Sequence, residues 1–197
     1  MTTRSVAVKA GVSVAAVLLL SLPACKSCGG GGGGGITIPA TDGSPPELTL
    51  GVAQPGGASV TVSGTQTVTQ SMQLKSKTGP LNLLATAKDP ESGIQAVEIW
   101  VNSKKTTCNA AGLCTTTGPG LLGQPMFQST VPKKNPGETA VESSILAQAL
   151  DLTTNVPQGG PPAGGTLTFT LIINAVAKNH LGGQTRTPDV EATWKEP

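Results

Sequence analysis

The strongest constraint on the fold is a strict two-residue alternation near the C-terminus. Over residues 166–178, apolar side chains occupy every second position and mostly polar ones lie between them. A period of two is typical of a β-strand with one buried face. After a turn at residues 179–183, residues 184–194 place Val190, Ala192 and Trp194 on one face. The pattern therefore predicts a C-terminal β-hairpin packed against a core.

The same alternation occurs in the first half of the chain. Residues 81–88 place Leu81, Leu83, Ala85 and Ala87 on one face, and residues 94–102 place Val97, Ile99 and Val101 on one face with Trp100 on the other. Shorter strands are predicted at residues 47–53, 58–63, 66–75 and 126–131. Residues 141–152 fit either a helical stripe or a strand, and we expect a strand with a helical turn before it. Short strands separated by Gly- and Pro-containing turns predict an all-β sandwich.

Two segments resemble a known family. Residues 85–94, followed by residues 97–102, are similar to the B–C strand pair of bacterial Ig-like domains, and the C-terminal hairpin is similar to their F–G pair. The acidic residue usual in the F–G turn is replaced by Asn179 and His180. The resemblance covers residues 46–197 and implies an Ig-like antiparallel β-sandwich, with strand D at residues 126–131 and strand E near residues 150–153. It implies no activity.

The N-terminus carries the pattern of an export signal. Arg4 and Lys9 precede an apolar stretch, residues 10–22, that is shorter than the roughly 20 residues a membrane-spanning helix needs. Leu22 and Ala24, followed by Cys25, resemble the lipobox of bacterial lipoproteins, although Pro23 departs from it. The resemblance implies that residues 1–24 are a removed signal peptide and that Cys25 carries diacylglycerol and acyl chains such as palmitate. The alternative is an ordinary signal peptide and a released, soluble protein.

The residues after Cys25 form a predicted linker. Residues 29–35 are seven consecutive glycines, which favour a flexible coil rather than a phosphate-binding loop, because no strand and helix flank them. We assign residues 25–45 to this linker, with a span of about 25 Å as a coil, and residues 46–197 to the sandwich. In lipoproteins of bacteria with two membranes, Lys26 after the cysteine resembles the signal for the outer membrane.

The other cysteines fit an exported protein. Cys108 and Cys114 flank a short segment and are predicted to close a hairpin tip as a disulfide, which persists in an oxidising compartment. Two cysteines and a remote His180 are too few ligands for zinc, so no metal or other cofactor is expected. Cys28 is left over, either free or paired between molecules.

Charge argues against nucleic acid as a partner. Arg4 and Lys9 are the only charged residues before Cys25, and without them the chain has 11 basic and 11 acidic residues. A neutral chain lacks the basic footprint that nucleic acid or an anionic membrane surface would attract. The expected contact with the membrane is therefore the lipid on Cys25, and an unidentified envelope protein is the other expected partner.

Candidate functional residues lie in two places. An Ig-like topology would gather the turns at residues 89–93, 132–137 and 178–183 at one end, with Asp89, Glu91 and His180 among them, and the Cys108–Cys114 hairpin and the loop at residues 158–165 at the other. Trp100 should face outward, where it would either anchor a partner or be covered by a flanking loop. We expect a non-enzymatic, lipid-anchored module that presents a binding or spacer surface. The alternative is an envelope enzyme or calcium-dependent binder using Asp89, Glu91 and His180. For the individual residues we expect His180 to be a solvated loop residue and Asp89 and Glu91 to form a solvated turn.

Overall fold

The computed structural model describes residues 35–118, 124–156 and 159–197. The signal-peptide and lipobox predictions, including Cys25 and Cys28, therefore lie outside the described residues. In chain order the described strands are β1 Gly35–Thr37, β2 Glu47–Ala53, β3 Ser59–Ser63, β4 Gln70–Gln73, β5 Pro80–Lys88, β6 Ile94–Cys108, β7 Cys114–Thr117, β8 Phe127–Thr130, β9 Thr139–Val141, β10 Ser143–Asp151, β11 Thr166–Asn179, β12 Gln184–Arg186 and β13 Val190–Glu196. A single described helix, α1 Leu152–Asn155, follows β10.

Two sheets form the body of the sandwich. One sheet has the order β10-β5-β2-β3, and the other has the order β4-β13-β11-β6-β7, with β12 also paired to β11 and β8 also paired to β6. All pairs are antiparallel except β4 with β13, which run parallel. This all-β sandwich confirms the fold class predicted from the alternating patterns.

The core consists of aliphatic side chains from the inner faces of both sheets. The alternating residues of β5, including Leu81 and Leu83, face those of β6 and β11, including Ile99 and Ile173, and all four side chains are at most 1 % exposed. Trp194 and Phe127 pack against this cluster from its margin. The predicted inward faces of β5, β6, β11 and β13 are therefore confirmed, and the scarcity of aromatic residues leaves Val, Leu, Ile and Ala to supply most of the buried area.

The strand at residues 126–131 was assigned to the wrong neighbour. Strand β8 pairs with β6, with Ile99 opposite Phe127, and so belongs to the seven-stranded sheet rather than standing as strand D of the other sheet. At the end of β7 the chain lies close to β6: Gly118 has φ +94°, and a Cβ there would lie 2.4 Å from the Ser103 carbonyl oxygen. Only glycine allows so close an approach.

The ambiguous segment at residues 141–152 is a strand, but its helical turn was predicted on the wrong side. Strand β10 comes first, and α1 begins at Leu152, after it. Asp151 explains why the helix follows the strand. Its Oδ1 accepts the N–H of Thr153 at 2.9 Å and so caps the first turn of α1. With four residues, α1 is too short to cross a bilayer, and no other helix occurs in the described part of the chain.

Residues 35–45, which the sequence assigns to the linker, lie on the sandwich; we call them the N-terminal strap. Strand β1 pairs with β9, and Ile38 is only 1 % exposed and exchanges backbone hydrogen bonds with Gly137 and Glu138. The folded body thus begins by Gly35, earlier than the predicted boundary at residue 46. An isolated apolar pair, Ile36 and Ile38, in a glycine-rich stretch gave no periodicity from which a strand could be predicted.

Candidate functional site

The turn between β5 and β6 is built around the carboxylate of Asp89. Its Oδ1 accepts the N–H groups of Glu91 at 3.0 Å and Ser92 at 2.8 Å, which closes the turn locally. Gly93 follows with φ +71°, and a Cβ there would lie 2.6 Å from the Ala140 Cβ. Asp89 is 3 % exposed, so it acts as a structural acceptor of the turn.

Asn179 joins this turn to two other segments. Its Nδ2 donates to Asp89 Oδ2 at 3.0 Å and to Asp42 Oδ2 at 3.1 Å, and its Oδ1 accepts the N–H of Gly183 at 2.6 Å. The Ser92 hydroxyl also donates to Asp42. The strap, the β5–β6 turn and the β11–β12 turn therefore meet at one polar cluster, which the sequence could not reveal because Asp42 lies in the predicted linker.

The carboxyl groups of Asp42 and Glu91 influence each other. Burial opposes ionisation of Asp42, but hydrogen bonds from Ser92, the Ser44 N–H and Glu91 outweigh it and lower the pKa of this carboxyl. The pKa of Glu91 is raised by its hydrogen bond to Asp42 and by repulsion from the Asp42 and Asp89 charges. Glu91 thus holds its proton to a higher pH than a free glutamate, because that proton bridges two carboxylates.

His180 is buried, which corrects the expectation of a solvated loop residue. It has no exposed surface, and its Nδ1 accepts the backbone N–H of Lys134 at 3.1 Å. Burial lowers the pKa of this imidazole, and the positive charge of Lys134 adds to the effect. A neutral histidine with Nδ1 occupied by the backbone and no accessible edge is poorly placed to exchange protons with a substrate.

The predicted gathering of turns at one end is confirmed for the residues that carry these contacts. Asp89 and Asn179 touch directly, and Lys134 touches His180. Lys178 is the exception, since its Nζ lies 2.7 Å from Glu98 Oε1 on the outer face of the sheet. Across the described ranges, no group of three or more His, Cys, Asp or Glu side chains is placed to hold a metal ion.

Trp100 lies on the outer face of the seven-stranded sheet, as predicted, but it is half-buried. Its Nε1 donates to Glu98 Oε2 at 3.1 Å, and Glu98 is only 7 % exposed. The pairing of Ile99 with Phe127 puts Met126 beside Trp100 on this face, and Met126 is 37 % exposed. The flat ring of Trp100 is thus held in one orientation, with an exposed thioether side chain next to it.

Polar pairs border Trp100 on the neighbouring strands. Asn174, directly opposite Trp100 on β11, accepts from Arg186 Nε at 3.2 Å and donates to Asp189 Oδ1 at 3.1 Å. Arg186 and Asp189 also form an ion pair at 2.8 Å. An aromatic side chain surrounded by satisfied polar pairs has the composition of an interface hot spot and its rim. We call this surface the Trp100 face. It comprises Trp100, Met126, Asn174 and the ion pairs Lys178–Glu98 and Arg186–Asp189.

The opposite end of the sandwich carries the disulfide hairpin. Cys108 and Cys114 are bonded, which confirms the predicted pairing. The loop at residues 159–165 packs against this hairpin, since a Cβ on Gly164 would lie 3.2 Å from the Ala110 Cβ, as the predicted topology requires; residue 158 lies outside the described residues. Residues of the hairpin and Pro162 line an open cleft of about 510 Å³.

No family model matches this chain, and no curated protein matches its sequence.

Proposed function

We propose that the protein is a lipid-anchored, non-catalytic component of the bacterial cell envelope that presents the Trp100 face to a protein partner. The anchor would be Cys25, after removal of residues 1–24, and the outer membrane would be its location in a bacterium with two membranes. The Ig-like sandwich would act as the rigid carrier of the binding surface. The lipobox-like residues Leu22, Ala24 and Cys25 motivate the anchor.

The observation that carries the proposal is the way in which the strap joins the sandwich. Strand β1 and Asp42 fix the incoming chain to the end where Asp89 and His180 lie. A membrane anchor ahead of Gly35 would therefore hold that end nearest the membrane. The Trp100 face lies along the side of the sheet, and the disulfide hairpin lies at the far end, so both would be open to other envelope proteins.

The strap also shortens the proposed tether. Nine residues lie between Cys25 and Gly35, and a glycine-rich coil of that length spans about 17 Å, rather than the 25 Å expected for a linker that ends at residue 45. The end of the sandwich that carries the strap would then stay close to the membrane.

Burial of His180 and the turn-forming role of Asp89 support a non-catalytic function. Each of these side chains already has partners within the protein, and neither lines the cleft. Replacing Asp89, Glu91 and His180 with alanine should therefore act through stability. Loss of a measured enzymatic activity without loss of folding would contradict a non-catalytic function.

The proposal is tested in two steps. Globomycin, which blocks lipoprotein signal peptidase, should make the full-length precursor accumulate, and Cys25→Ser should abolish labelling with an alkyne-palmitate analogue. Photocrosslinking from Met126 in intact cells should then give a defined adduct that Trp100→Ala removes. Val68→Ala is the matched control, because Val68 is 65 % exposed and lies in neither the Trp100 face nor the disulfide hairpin. Unchanged processing with globomycin would refute the anchor, and an adduct that Trp100→Ala leaves intact would refute the binding surface.

A further inference from the structure

Strand β7 ends the seven-stranded sheet with an unprotected edge. It is the last strand in the order β4-β13-β11-β6-β7, and all four of its residues are exposed. Natural sheets usually block such edges with charged residues, proline or a bulge. The sequence Cys114-Thr115-Thr116-Thr117 has none of these, and its register with β6 is regular.

The hydrogen-bond register shows which backbone groups this edge presents. The N–H of Asn109 donates to the carbonyl of Leu113, which makes this pair a hydrogen-bonded position of the ladder, and the N–H of Leu113 donates to the side-chain Oδ1 of Asn109. Hydrogen-bonded and non-hydrogen-bonded pairs alternate along an antiparallel ladder. Thr106 and Thr116, three pairs further along, therefore form a non-hydrogen-bonded pair. The N–H and C=O of Thr116 point away from β6, and no described strand lies on that side.

The cleft lies directly beside this edge. Thr115 and Thr117, which share one face of β7, line it together with Lys105, Thr107 and Leu113 of the hairpin and Pro162 of the facing loop. A strand added to the edge would point every second side chain towards the cleft. The edge and the cleft together thus form a surface for an extended peptide, which adds a strand and seats alternate side chains.

Charge indicates which peptide would fit. Lys104 and Lys105 are the only charged residues between Ser103 and Gly118, and the facing loop, residues 159–165, has none. Lys105 lines the cleft. Lys105 is therefore the charged residue of the hairpin that faces the cleft, the hairpin has no acidic residue, and the cleft complements a peptide whose cleft-facing side chains are acidic.

The hairpin is also held in shape before binding. The Cys108–Cys114 disulfide closes it immediately beside β7, and the hydroxyls of Thr106 and Thr116 form a hydrogen bond at 2.9 Å on the face away from the cleft. A strand that is ordered in advance loses little conformational freedom when a partner pairs with it.

We propose that the edge of β7 is a second binding site, separate from the Trp100 face, which takes an extended acidic segment of a partner protein by antiparallel or parallel strand addition. The occupant makes backbone hydrogen bonds with Thr116 and places carboxylates near Lys105.

The test uses the full chain, isotope-labelled in detergent micelles, and two synthetic peptides, acetyl-(Val-Glu)4-amide and acetyl-(Val-Lys)4-amide. The glutamate peptide should shift the amide resonances of β7 and Lys105, whereas the lysine peptide should bind about tenfold more weakly. Thr116→Pro removes the outward N–H but no bond to β6, and proline is tolerated at strand edges. It should weaken binding of the glutamate peptide about tenfold.

A second variant keeps the proposal testable if Thr116→Pro fails to fold. Lys105→Glu leaves the backbone edge intact and should reverse the preference in favour of the lysine peptide. Lys133→Gln, an exposed lysine at the opposite end, is the matched control and should change nothing. Absence of shifts at millimolar peptide, equal binding of both peptides, or shifts centred outside the hairpin would overturn the proposal. Neither peptide reports on Cys25 or on Trp100, so failure here is distinguishable from failure of the anchor or of the Trp100 face.

Discussion

Trp100 illustrates how a single hydrogen bond orders a surface residue. Its indole N–H donates to Glu98, which is nearly buried and also pairs with Lys178. Trp100→Phe keeps most of the ring but leaves Glu98 Oε2 without this donor. We expect the free energy of unfolding to fall by about 1 kcal/mol, measured by urea denaturation. An unchanged denaturation midpoint would show that the hydrogen bond contributes nothing to the free energy of unfolding.

The lowered pKa of His180 predicts that the stability of the protein depends on pH. Its pKa is lowered in the folded protein, so between the ordinary value of 6.5 and that lower value the unfolded chain binds a proton that the folded chain does not. The contribution of neutral His180 to the free energy of unfolding should therefore be complete above pH 6.5. It should decrease as the pH falls through this window, by up to about 1.4 kcal/mol per pH unit.

The variant His180→Gln isolates this contribution. Glutamine does not titrate, so the acid-dependent loss between pH 6.5 and pH 5 should be smaller in the variant than in the unaltered protein. Thermal or urea unfolding at several pH values would measure it. Parallel pH curves for the two proteins would mean that His180 does not titrate differently on folding. Glu91, whose pKa is raised, acts in the opposite sense, because its contribution is lost as the pH rises through its folded pKa.

At the scale of elements, the strap depends on side-chain contacts more than on its short strand. Strand β1 has three residues, whereas Asp42 accepts hydrogen bonds from Ser92, from Asn179 and from the Ser44 N–H at 2.8 Å. Asp42→Ala should release the strap while the sandwich stays folded. Hydrogen exchange at Ile38 should then become faster by about tenfold or more, since each lost hydrogen bond to a charged group is worth roughly 1.5–3 kcal/mol.

The exposed neighbour Thr41 provides the matched control for the strap. Thr41→Ala should leave the exchange rate at Ile38 unchanged. If Asp42→Ala also leaves it unchanged, β1 and the burial of Ile38 hold the strap without the polar cluster.

The elements that sequence could predict are those whose pattern repeats. Strands β2, β5 and β11 have alternating buried faces and were predicted at nearly their observed positions. Strand β6 extends to Cys108, beyond the predicted end at residue 102, and the predicted strand at residues 184–194 is divided into β12 and β13. Strand β1 could not be predicted, because three residues beside a glycine run carry no period. The partner of β8 also escaped prediction, since strand pairing depends on how the whole chain folds and not only on the residues of the strand itself.

The candidate sites show the same limit. The outward position of Trp100 followed from alternation, but its hydrogen bond to Glu98 did not, because alternation places both side chains on one face without fixing their rotamers. The burial of His180 required knowledge of where residues 133–134 pass. Asp42 was missed because its partners, Ser92 and Asn179, are 50 and 137 residues away in the sequence.

At the scale of the whole molecule, the N-terminal strap and the disulfide hairpin lie at different ends of the sandwich. The strap enters beside the turns that contain Asp89 and Asn179, and β6 runs from that end to the disulfide hairpin. Its 15 residues span about 50 Å. The end where the strap enters and the tip of the hairpin are therefore separated by about the length of β6, with the Trp100 face between them.

The measurement that tests this account most directly is the intact mass of the N-terminal peptide of the mature protein, isolated from a bacterial envelope fraction. The account predicts that the peptide begins at Cys25 and carries the added mass of diacylglycerol with its acyl chains. The variant Cys25→Ser should yield no such peptide. A mature N-terminus at any other residue, or an unmodified Cys25, would contradict the account.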